Sequence, residues 1–254
     1  MKLLSALILG IIVCGLSSLA TAADNPSPAL QLTTFRGQGF LVRTVDPKKE
    51  DLRLFWKDDD GNLLHDFVGL EKAVNAKGEK LVFAANAGMF EPDSRPVGLL
   101  VQDGDEKSPL NLKDGTGNFY MKPNGIFLIN EKREAFVVES STYTTLLTPA
   151  TWATQSGPLL VHGGTILPDF NADSKSRKIR SGVGVRKDGT IMFALSRAPV
   201  NFYDFAALFL TKLKCPNALF LDGDISAFYV PALKDPIAHS FGPMFGLVEK
   251  TKNQ

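Results

Sequence analysis

Short apolar runs separated by turn-forming residues dominate the chain, and this pattern predicts strands more often than helices. The run at 218–221 is four apolar residues that end abruptly at Asp222, Gly223 and Asp224. Such a run predicts a buried strand whose last residue reaches the edge of a sheet. An aspartate mounted there can face a cleft from a rigid element, although an ordinary Asp-Gly turn is the simpler interpretation.

The same pattern predicts several further strands. They fall at 40–44, 52–56, 80–85, 97–102, 125–129 and 135–138. Turn-prone residues at 46–49 predict that the first two pair with each other. Asp188 and Gly189 predict a hairpin between strands at 182–185 and 191–195.

Helical spacing of apolar residues is found in two places. The clearer helix is predicted at 202–214, where Asn201 can cap the first turn and Pro216 stops the helix. A shorter one is predicted to begin after Asp66, with apolar side chains at helical spacing from Phe67 onward. Together these elements predict an α+β fold: a single domain with a mixed, strand-rich central sheet and two or three packed helices.

The N-terminal segment has the pattern of a signal peptide at 1–22: a positive start, an apolar stretch, and small residues up to Ala22. We expect cleavage after Ala22 or one residue later, followed by a loose leader at 23–34 and a domain at 35–254. The mature protein would then be periplasmic or secreted. Lipid attachment at Cys14 is disfavoured, because the residue before it is not small.

Charge and cysteine content narrow the function classes. The net charge is +1 without a long basic or acidic run, which argues against a nucleic-acid partner. No stretch after the signal is long and apolar enough for an integral membrane segment. Once Cys14 is removed with the signal, Cys215 is the lone cysteine, and its place after an apolar helix predicts a buried side chain rather than a nucleophile.

Familiar catalytic motifs are missing from the sequence. It contains no Gly-x-Ser-x-Gly elbow, Walker loop, His-Glu-x-x-His or Cys-x-x-Cys, and only three histidines. A histidine-dependent serine hydrolase or a zinc enzyme is therefore disfavoured. The acidic residues at 58–60 lack the alternating ligand spacing of a calcium loop and predict a solvated turn.

Polar side chains recur beside glycines where predicted strands end. The segments are Asn86-Ala87-Gly88-Met89-Phe90, Asn124-Gly125, Gln155-Ser156-Gly157-Pro158, Arg180-Ser181-Gly182-Val183-Gly184 and Asp222-Gly223-Asp224. Each can be an ordinary turn, but together they fit the rim of one cleft. Glycine N–H groups can cradle an anion, and a guanidinium can grip phosphate with two donors. Asparagine and glutamine amides suit sugar hydroxyls, since they both donate and accept hydrogen bonds.

In this order the segments resemble the phosphodiester glycosidase family, over roughly residues 35 to 248. That family includes N-acetylglucosamine-1-phosphodiester α-N-acetylglucosaminidase and many exported bacterial proteins. The resemblance extends to Leu221-Asp222-Gly223. This chain departs from the family pattern at Asp224, where a glycine is usual, and the departure bears on substrate identity.

The resemblance implies hydrolysis of a glycosyl-1-phosphodiester that releases a sugar and a phosphate monoester. Asp222 would act at the anomeric carbon with Asp224 as helper, and Arg180 would stabilise the departing phosphate. The substrate-binding residues implied are Asn86, Gly88, Asn124, Gly125, Gln155, Gly157, Gly223 and Ser226.

Two alternatives stay open. The same cleft would serve a non-catalytic periplasmic protein that binds glycans or anionic polymers. We expect no obligatory cofactor and no bound metal, but Asp222 and Asp224 could share a hard cation such as calcium or magnesium.

Overall fold

The computed structural model describes residues 30–146, 148–231 and 240–251. The predicted signal peptide at 1–22, its cleavage site and Cys14 lie outside these residues, as does most of the predicted leader at 23–34. The end of the leader segment belongs to the first strand, β1 (Gln31–Phe35). Positive φ values at Arg36 and Gly37 turn the chain back, so that β1 pairs with β2 (Gln38–Val45).

Sixteen strands and two α-helices are found in the described residues. After β1 and β2 the strands are β3 (Asp51–Phe55), β4 (Glu79–Asn86), β5 (Leu100–Gln102), β6 (Asp105–Ser108), β7 (Gly125–Asn130), β8 (Ala135–Glu139), β9 (Ala150–Ser156), β10 (Leu159–His162), β11 (Thr165–Ile166), β12 (Ser181–Val185), β13 (Ile191–Ser196), β14 (Asn217–Asp222), β15 (Phe228–Tyr229) and β16 (Met244–Lys250). The helices are α1 (Phe67–Ala76) and α2 (Phe202–Ala207). Shorter helical segments are a π-helical turn at Leu208–Lys212 and 3-10 turns at Asn118–Tyr120 and Ser140–Thr145.

The strands form three sheets, in the orders β1-β2-β13-β12-β14-β10-β11, β15-β4-β16-β3 and β6-β5-β9-β7-β8. Every strand pair among the described residues is antiparallel. The strand-rich, helix-poor character is as predicted, but the sheet is not mixed. The predicted helix at 202–214 does connect β13 to β14, but β12 lies between those two strands and pairs with both, so no parallel pair results.

The predicted pairing of β2 with β3 is wrong. β2 pairs with β1 and β13, whereas β3 pairs with β16 in another sheet. The physical reason lies in the connection. The N–H groups of Lys49 and Glu50 both bind the carbonyl of Asp46, and the Asp46 N–H binds the Glu50 carboxylate. This local turn redirects the chain from one sheet to the next instead of closing a hairpin.

A cluster of phenylalanines joins the three sheets. Phe193 of the seven-stranded sheet contacts Phe83 and Phe245 of the four-stranded sheet, at centroid distances of 5.7 and 5.0 Å. Phe127 of the five-stranded sheet contacts Phe245 at 5.4 Å. All four side chains are buried. Such buried aromatic contacts fix the sheets relative to one another and so fix the strand ends that carry polar residues.

Helix α2 packs on the outer face of the seven-stranded sheet. Asn201 Oδ1 accepts a hydrogen bond from the Asp204 N–H at 2.8 Å, which confirms the predicted cap. A Cβ atom on Gly182 would lie 3.1 Å from the Phe205 ring, and one on Gly184 would lie 2.8 Å from the Phe209 ring. Both glycines of β12 therefore allow the close approach of the helix.

Three further local predictions are confirmed. Asp66 Oδ1 caps α1 by accepting from the Gly69 N–H at 2.6 Å. Strands β12 and β13 form the predicted hairpin, with Gly189 at a φ of 85° in its turn. Cys215 is buried, and burial raises the pKa of its thiol to about 12, which is unfavourable for a nucleophile.

Candidate active site

Strand β14 delivers its last residue to an open cleft of about 610 Å³. Three segments form the walls: the loop after β4 at 89–92, the 3-10 turn with the residues before it at 116–120, and the turn after β14 at 222–225. Leu219 and Leu221 of β14 are buried in the core, so the strand end is rigidly held. The strand predicted from the 218–221 run is present, and it ends at Asp222.

Asp222 is half-buried in the cleft wall, and its carboxylate organises the turn that follows. Oδ1 accepts hydrogen bonds from the N–H groups of Asp224 and Ile225, at 2.7 and 3.0 Å. The Ser226 hydroxyl donates to the Asp222 carbonyl at 2.7 Å. These bonds fix the plane of the carboxylate and do not use its second oxygen, Oδ2.

Burial raises the pKa of Asp222 above its ordinary value of 3.8. The backbone N–H groups of Asp224, Ile225 and Gly223 oppose part of this rise, because they stabilise the ionised form. A carboxylate that is both partly desolvated and rigidly oriented is typical of an active site, although structural carboxylates can have the same properties.

Arg180 lies beneath the turn rather than in the cleft wall. Its side chain is buried, with 1% relative exposure, and the guanidinium carbon is 3.7 Å from the centre of the Phe202 ring. Nε donates to the Val200 carbonyl at 2.9 Å and Nη2 to the Ser176 carbonyl at 3.3 Å. Nη1 has no hydrogen-bond partner among the described residues. Burial lowers the pKa of Arg180 to about 10.

This geometry changes the expected role of the guanidinium. Two of its nitrogens already bind backbone carbonyls, so the predicted two-pronged grip on phosphate is not available in this arrangement. The remaining nitrogen, Nη1, would lie 3.5 Å from a Cβ atom on Gly223. The Phe220 ring would lie 3.1 Å from the same Cβ atom, so Gly223 and this ring both border Nη1.

Asp224 is exposed and forms an ion pair that the sequence did not suggest. Its Oδ1 accepts a hydrogen bond from Lys178 Nζ at 2.8 Å. Lys178 has no glycine beside it and does not follow a predicted strand, so the recurrent pattern of polar residues at strand ends does not include it. Asp224 and Asp222 thus have different surroundings: one carboxylate is solvated and paired, and the other is half-buried.

Asn124 and Gly157 hold the 3-10 turn that forms one cleft wall. Asn124 Nδ2 donates to the Phe119 carbonyl at 3.0 Å. A Cβ atom on Gly157 would lie 2.6 Å from that same carbonyl. A Cβ atom on Gly125 would lie 2.4 Å from the Leu159 side chain, so this glycine serves the packing of β7.

The side chain of Gln155 is buried, and its amide makes four hydrogen bonds to neighbouring segments. Oε1 accepts from the N–H groups of Leu99 and Asn111, at 3.0 and 2.9 Å. Nε2 donates to the Asn111 carbonyl at 2.7 Å and to the Ser140 hydroxyl at 3.0 Å. A primary amide can donate two hydrogen bonds and accept two, so Gln155 has no donor or acceptor left for a sugar hydroxyl in this arrangement.

Asn86 and Gly88 connect the end of β4 to the cleft. Asn86 Oδ1 accepts from the Ala227 N–H at 3.2 Å, which ties β4 to the residue after the 222–226 turn. Asn86 Nδ2 has no partner in the described part of the chain. Gly88 has a φ of 106° and lies against β9, where a Cβ atom would be 3.1 Å from the Thr154 hydroxyl.

The predicted site residues therefore fall into two groups. Asp222, Gly223 and Asp224 line the cleft, and the other predicted residues do not. The lining residues that sequence reasoning did not assign are mostly apolar or aromatic, including Met89, Phe90, Phe119 and Tyr120. Gly117, with a φ of 92° before the 3-10 turn, was the signal that could have located the second wall.

A larger groove of about 830 Å³ lies elsewhere, between β3, the β5–β6 hairpin and the start of β9. None of the predicted site residues lines it. Its charged side chains are largely paired with one another, as in Lys107–Asp105 and Arg53–Asp51. It is therefore the weaker candidate despite its size.

Two kinds of feature are absent from the described part of the chain. Within it, no group of three or more histidine, cysteine, aspartate or glutamate side chains is arranged to hold a metal ion. None of its helices has the length and apolar character needed to cross a membrane.

Comparison with known proteins gives matches by sequence and by fold. The family model for phosphodiester glycosidase matches residues 79–241. An uncharacterized Escherichia coli (strain K12) protein, YigE, is 35% identical over 211 residues, which cover 83% of this chain and 80% of that protein. The chain therefore belongs to the phosphodiester glycosidase family.

Solved structures share the fold at low sequence identity. The catalytic domain of zebrafish N-acetylglucosamine-1-phosphodiester alpha-N-acetylglucosaminidase, auto-inhibited by its pro-peptide, has a TM-score of 0.60 and 15% identity, over 86% of this chain and 81% of that chain. A putative exported protein from Burkholderia pseudomallei K96243 has a TM-score of 0.55 and 13% identity, over 83% of this chain and 74% of that chain. These similarities establish the architecture shared with the family.

Proposed function

We propose that this protein is an exported hydrolase that cleaves a glycosyl-1-phosphodiester bond in an envelope or extracellular glycan. The products would be a sugar and a phosphate monoester. Membership in the phosphodiester glycosidase family supports the reaction class. The observation that carries the proposal for this chain is the half-buried carboxylate of Asp222, which is rigidly mounted in the wall of an open cleft.

The reaction places opposite charges at two centres. The bond between the anomeric carbon and the phosphate oxygen breaks, and its electron pair leaves with the phosphate. The oxygen of water bonds to the carbon, and one proton of that water is released to solvent or to the departing phosphate. The second pKa of the released phosphate monoester is about 6, so this leaving group needs little protonation near neutral pH. The site must chiefly stabilise positive charge at the carbon and negative charge at the phosphate.

The proposed roles follow from this charge separation. Asp222 acts at the anomeric carbon through Oδ2: it stabilises the oxocarbenium-like centre, bonds to it, or activates water. Arg180 attracts the departing phosphate through Nη1, which has no hydrogen-bond partner among the described residues. A buried cation acts over a short range with little screening, so it can contribute without full exposure.

The remaining predicted residues are proposed to position the cleft walls. Asn86, Asn124 and Gln155 each bind backbone groups of neighbouring segments, and their effect on substrate would be indirect. Gly88, Gly125, Gly157 and Ser226 keep the backbone of these segments in place. Met89, Phe90 and Tyr120 would contact the sugar directly.

The proposed location agrees with the proposed substrate. A signal peptide at 1–22 would direct the mature protein to the periplasm or outside the cell. A hydrolase of envelope or extracellular glycans must meet its substrate there. Measuring the N-terminal residue of the exported protein tests this: we expect it at Ala23 or Asp24.

Isotope labelling tests the reaction directly. The protein is incubated with a synthetic glycosyl-1-phosphodiester in H₂¹⁸O, and both products are analysed by mass spectrometry. Cleavage between carbon and oxygen puts the label into the sugar, whereas a phosphodiesterase would put it into the phosphate. Label in the phosphate overturns the glycosidase proposal, and tight binding without any product supports the alternative of a non-catalytic glycan-binding protein.

The pH dependence of activity is a second expected result. If Asp222 acts as a carboxylate, kcat/KM falls on the acid side with the pKa of this group in the free protein. Because burial raises that pKa, the acid limb should have its midpoint above 3.8. Initial rates measured from about pH 3 to 8 check this. A midpoint at or below 3.8 would assign the limb to another group.

A further inference from the structure

Three charged side chains meet around Gly223 at the mouth of the cleft. A Cβ atom on Gly223 would lie 3.5 Å from Arg180 Nη1 and 3.7 Å from Lys178 Cβ. Lys178 Nζ in turn donates to Asp224 Oδ1 at 2.8 Å. The two cations and one carboxylate form a single charged group, and their formal charges sum to +1.

Arg180 makes no hydrogen bond or ion pair with a carboxylate within the described residues, and the charge of Asp224 acts on it only from a distance. Nε and Nη2 bind neutral carbonyls, and Nη1 binds nothing. Buried cations are normally paired, because leaving water is costly for a charge. The unused Nη1 therefore favours an external anion, and it lies beside Gly223, where the nearest side chain is the Phe220 ring.

The ion pair between Lys178 and Asp224, beside Gly223, can open at little cost in free energy. The side chains of Lys178 and Asp224 are 58% and 78% exposed. Ion pairs that are this exposed contribute little to stability, since water solvates either partner when the pair opens. A phosphate that enters the mouth of the cleft can therefore recruit Lys178 at small cost.

We propose that Asp224 is a charge-selecting residue that biases the cleft toward the phosphodiester substrate and against the phosphate monoester product. The inference rests on the proposed function, which brings phosphate to Gly223. A phosphodiester carries one negative charge, whereas a monoester carries about −1.5 to −2 at pH 7. The group of Lys178, Arg180 and Asp224, with a net charge of +1, matches the diester, and the Asp224 carboxylate repels the extra charge of the monoester.

The proposed role of Asp224 predicts what would change if position 224 held the glycine that is usual in the family. A glycine there would leave Arg180 and Lys178 uncompensated, with a net charge of +2 that matches the monoester. Product would then be retained. With Asp224 present, cleavage itself raises the negative charge on the phosphate and so favours its release.

Binding measurements test this without turnover. Titration calorimetry in an Asp222→Asn background, at pH 7.5 and low ionic strength, compares a sugar 1-phosphate with the methyl diester of the same compound. Adding Asp224→Asn should strengthen monoester binding by about tenfold and diester binding by about threefold, because the removed repulsion scales with ligand charge. The monoester-to-diester preference therefore rises by about threefold.

Two variants separate net charge from other effects. Lys178→Met should shift the preference in the opposite direction, and the double variant Lys178→Met/Asp224→Asn should return it close to the starting value. Asp105→Asn is the matched control, because Asp105 forms a similar ion pair with Lys107, at 3.2 Å, in the other groove. It should leave both affinities unchanged.

An unchanged ligand preference in Asp224→Asn overturns the inference, as does an equal shift in Asp105→Asn or a failure of both ligands to bind. The proposed hydrolysis is tested separately from the proposed charge selection. If the parent protein leaves the diester intact while Asp224→Asn still shifts the preference, hydrolysis is rejected and charge selection stands.

Discussion

Replacing Asp222 with asparagine should lower kcat for sugar release by roughly 10²–10⁴-fold and leave the protein folded. The loss follows from removing the carboxylate that faces the anomeric carbon in the proposed mechanism. The fold should persist because an asparagine Oδ1 can accept the same hydrogen bonds from the N–H groups of Asp224 and Ile225. Single-turnover product assays together with thermal unfolding measure both quantities on one sample.

The stability of this variant should equal or exceed that of the parent at neutral pH. The pKa of Asp222 is raised in the folded state, so the folded protein binds a proton at this side chain more readily than the unfolded chain does. Stability from this group is greatest below the unfolded pKa of 3.8 and declines as pH rises through the folded value. At pH 7 the ionised side chain is therefore a cost to folding that asparagine removes.

Asp58→Asn provides a matched control. Asp58 Oδ1 also accepts two backbone N–H bonds, from Asp60 and Asn62 at 3.0 and 2.8 Å, but it lies outside the cleft. Its hydrogen bond with the Asn62 side chain, followed by the backbone bonds, lowers its pKa. Its variant should retain activity and lose a little stability above the unfolded pKa. Full activity in a folded Asp222→Asn protein would remove Asp222 from the chemistry.

Local elements were predictable because their signals lie within a few residues. The cap at Asn201, the hairpin turn at Gly189 and the strand that ends at Asp222 each depend on neighbours in the chain. The pairing of strands was not predictable from the sequence, because β2 and β3 have similar apolar patterns but belong to different sheets. No local signal distinguishes the two destinations.

The candidate site was predictable at one strand end and not around it. Gln155 binds backbone groups that are 56 and 44 positions away, so its structural use appears only when those segments are brought together. Glycines of the recurrent segments have a similar explanation. Gly182, Gly184 and Gly125 accommodate packing by α2 and Leu159. The ordered segments that identify the family therefore mark its architecture as well as its chemistry.

Replacing Gln155 with leucine should lower the free energy of unfolding by about 3–5 kcal/mol. Leucine has similar bulk but leaves four groups without partners: two N–H groups, a carbonyl and the Ser140 hydroxyl. A buried donor or acceptor that loses its partner costs about 1–3 kcal/mol, and half-buried Asn111 can recover part of this from water. Urea unfolding at equilibrium gives the change directly.

Gln102→Leu is the control for this substitution. Gln102 is half-buried and makes one amide bond, from Nε2 to the Leu54 carbonyl at 3.1 Å, so its loss should cost about 1 kcal/mol. The two variants remove the same chemical group and differ in how much of the structure depends on it. If Gln155→Leu unfolds like the parent and instead raises KM for the phosphodiester, Gln155 binds substrate, and the proposal that it only supports the cleft wall is wrong.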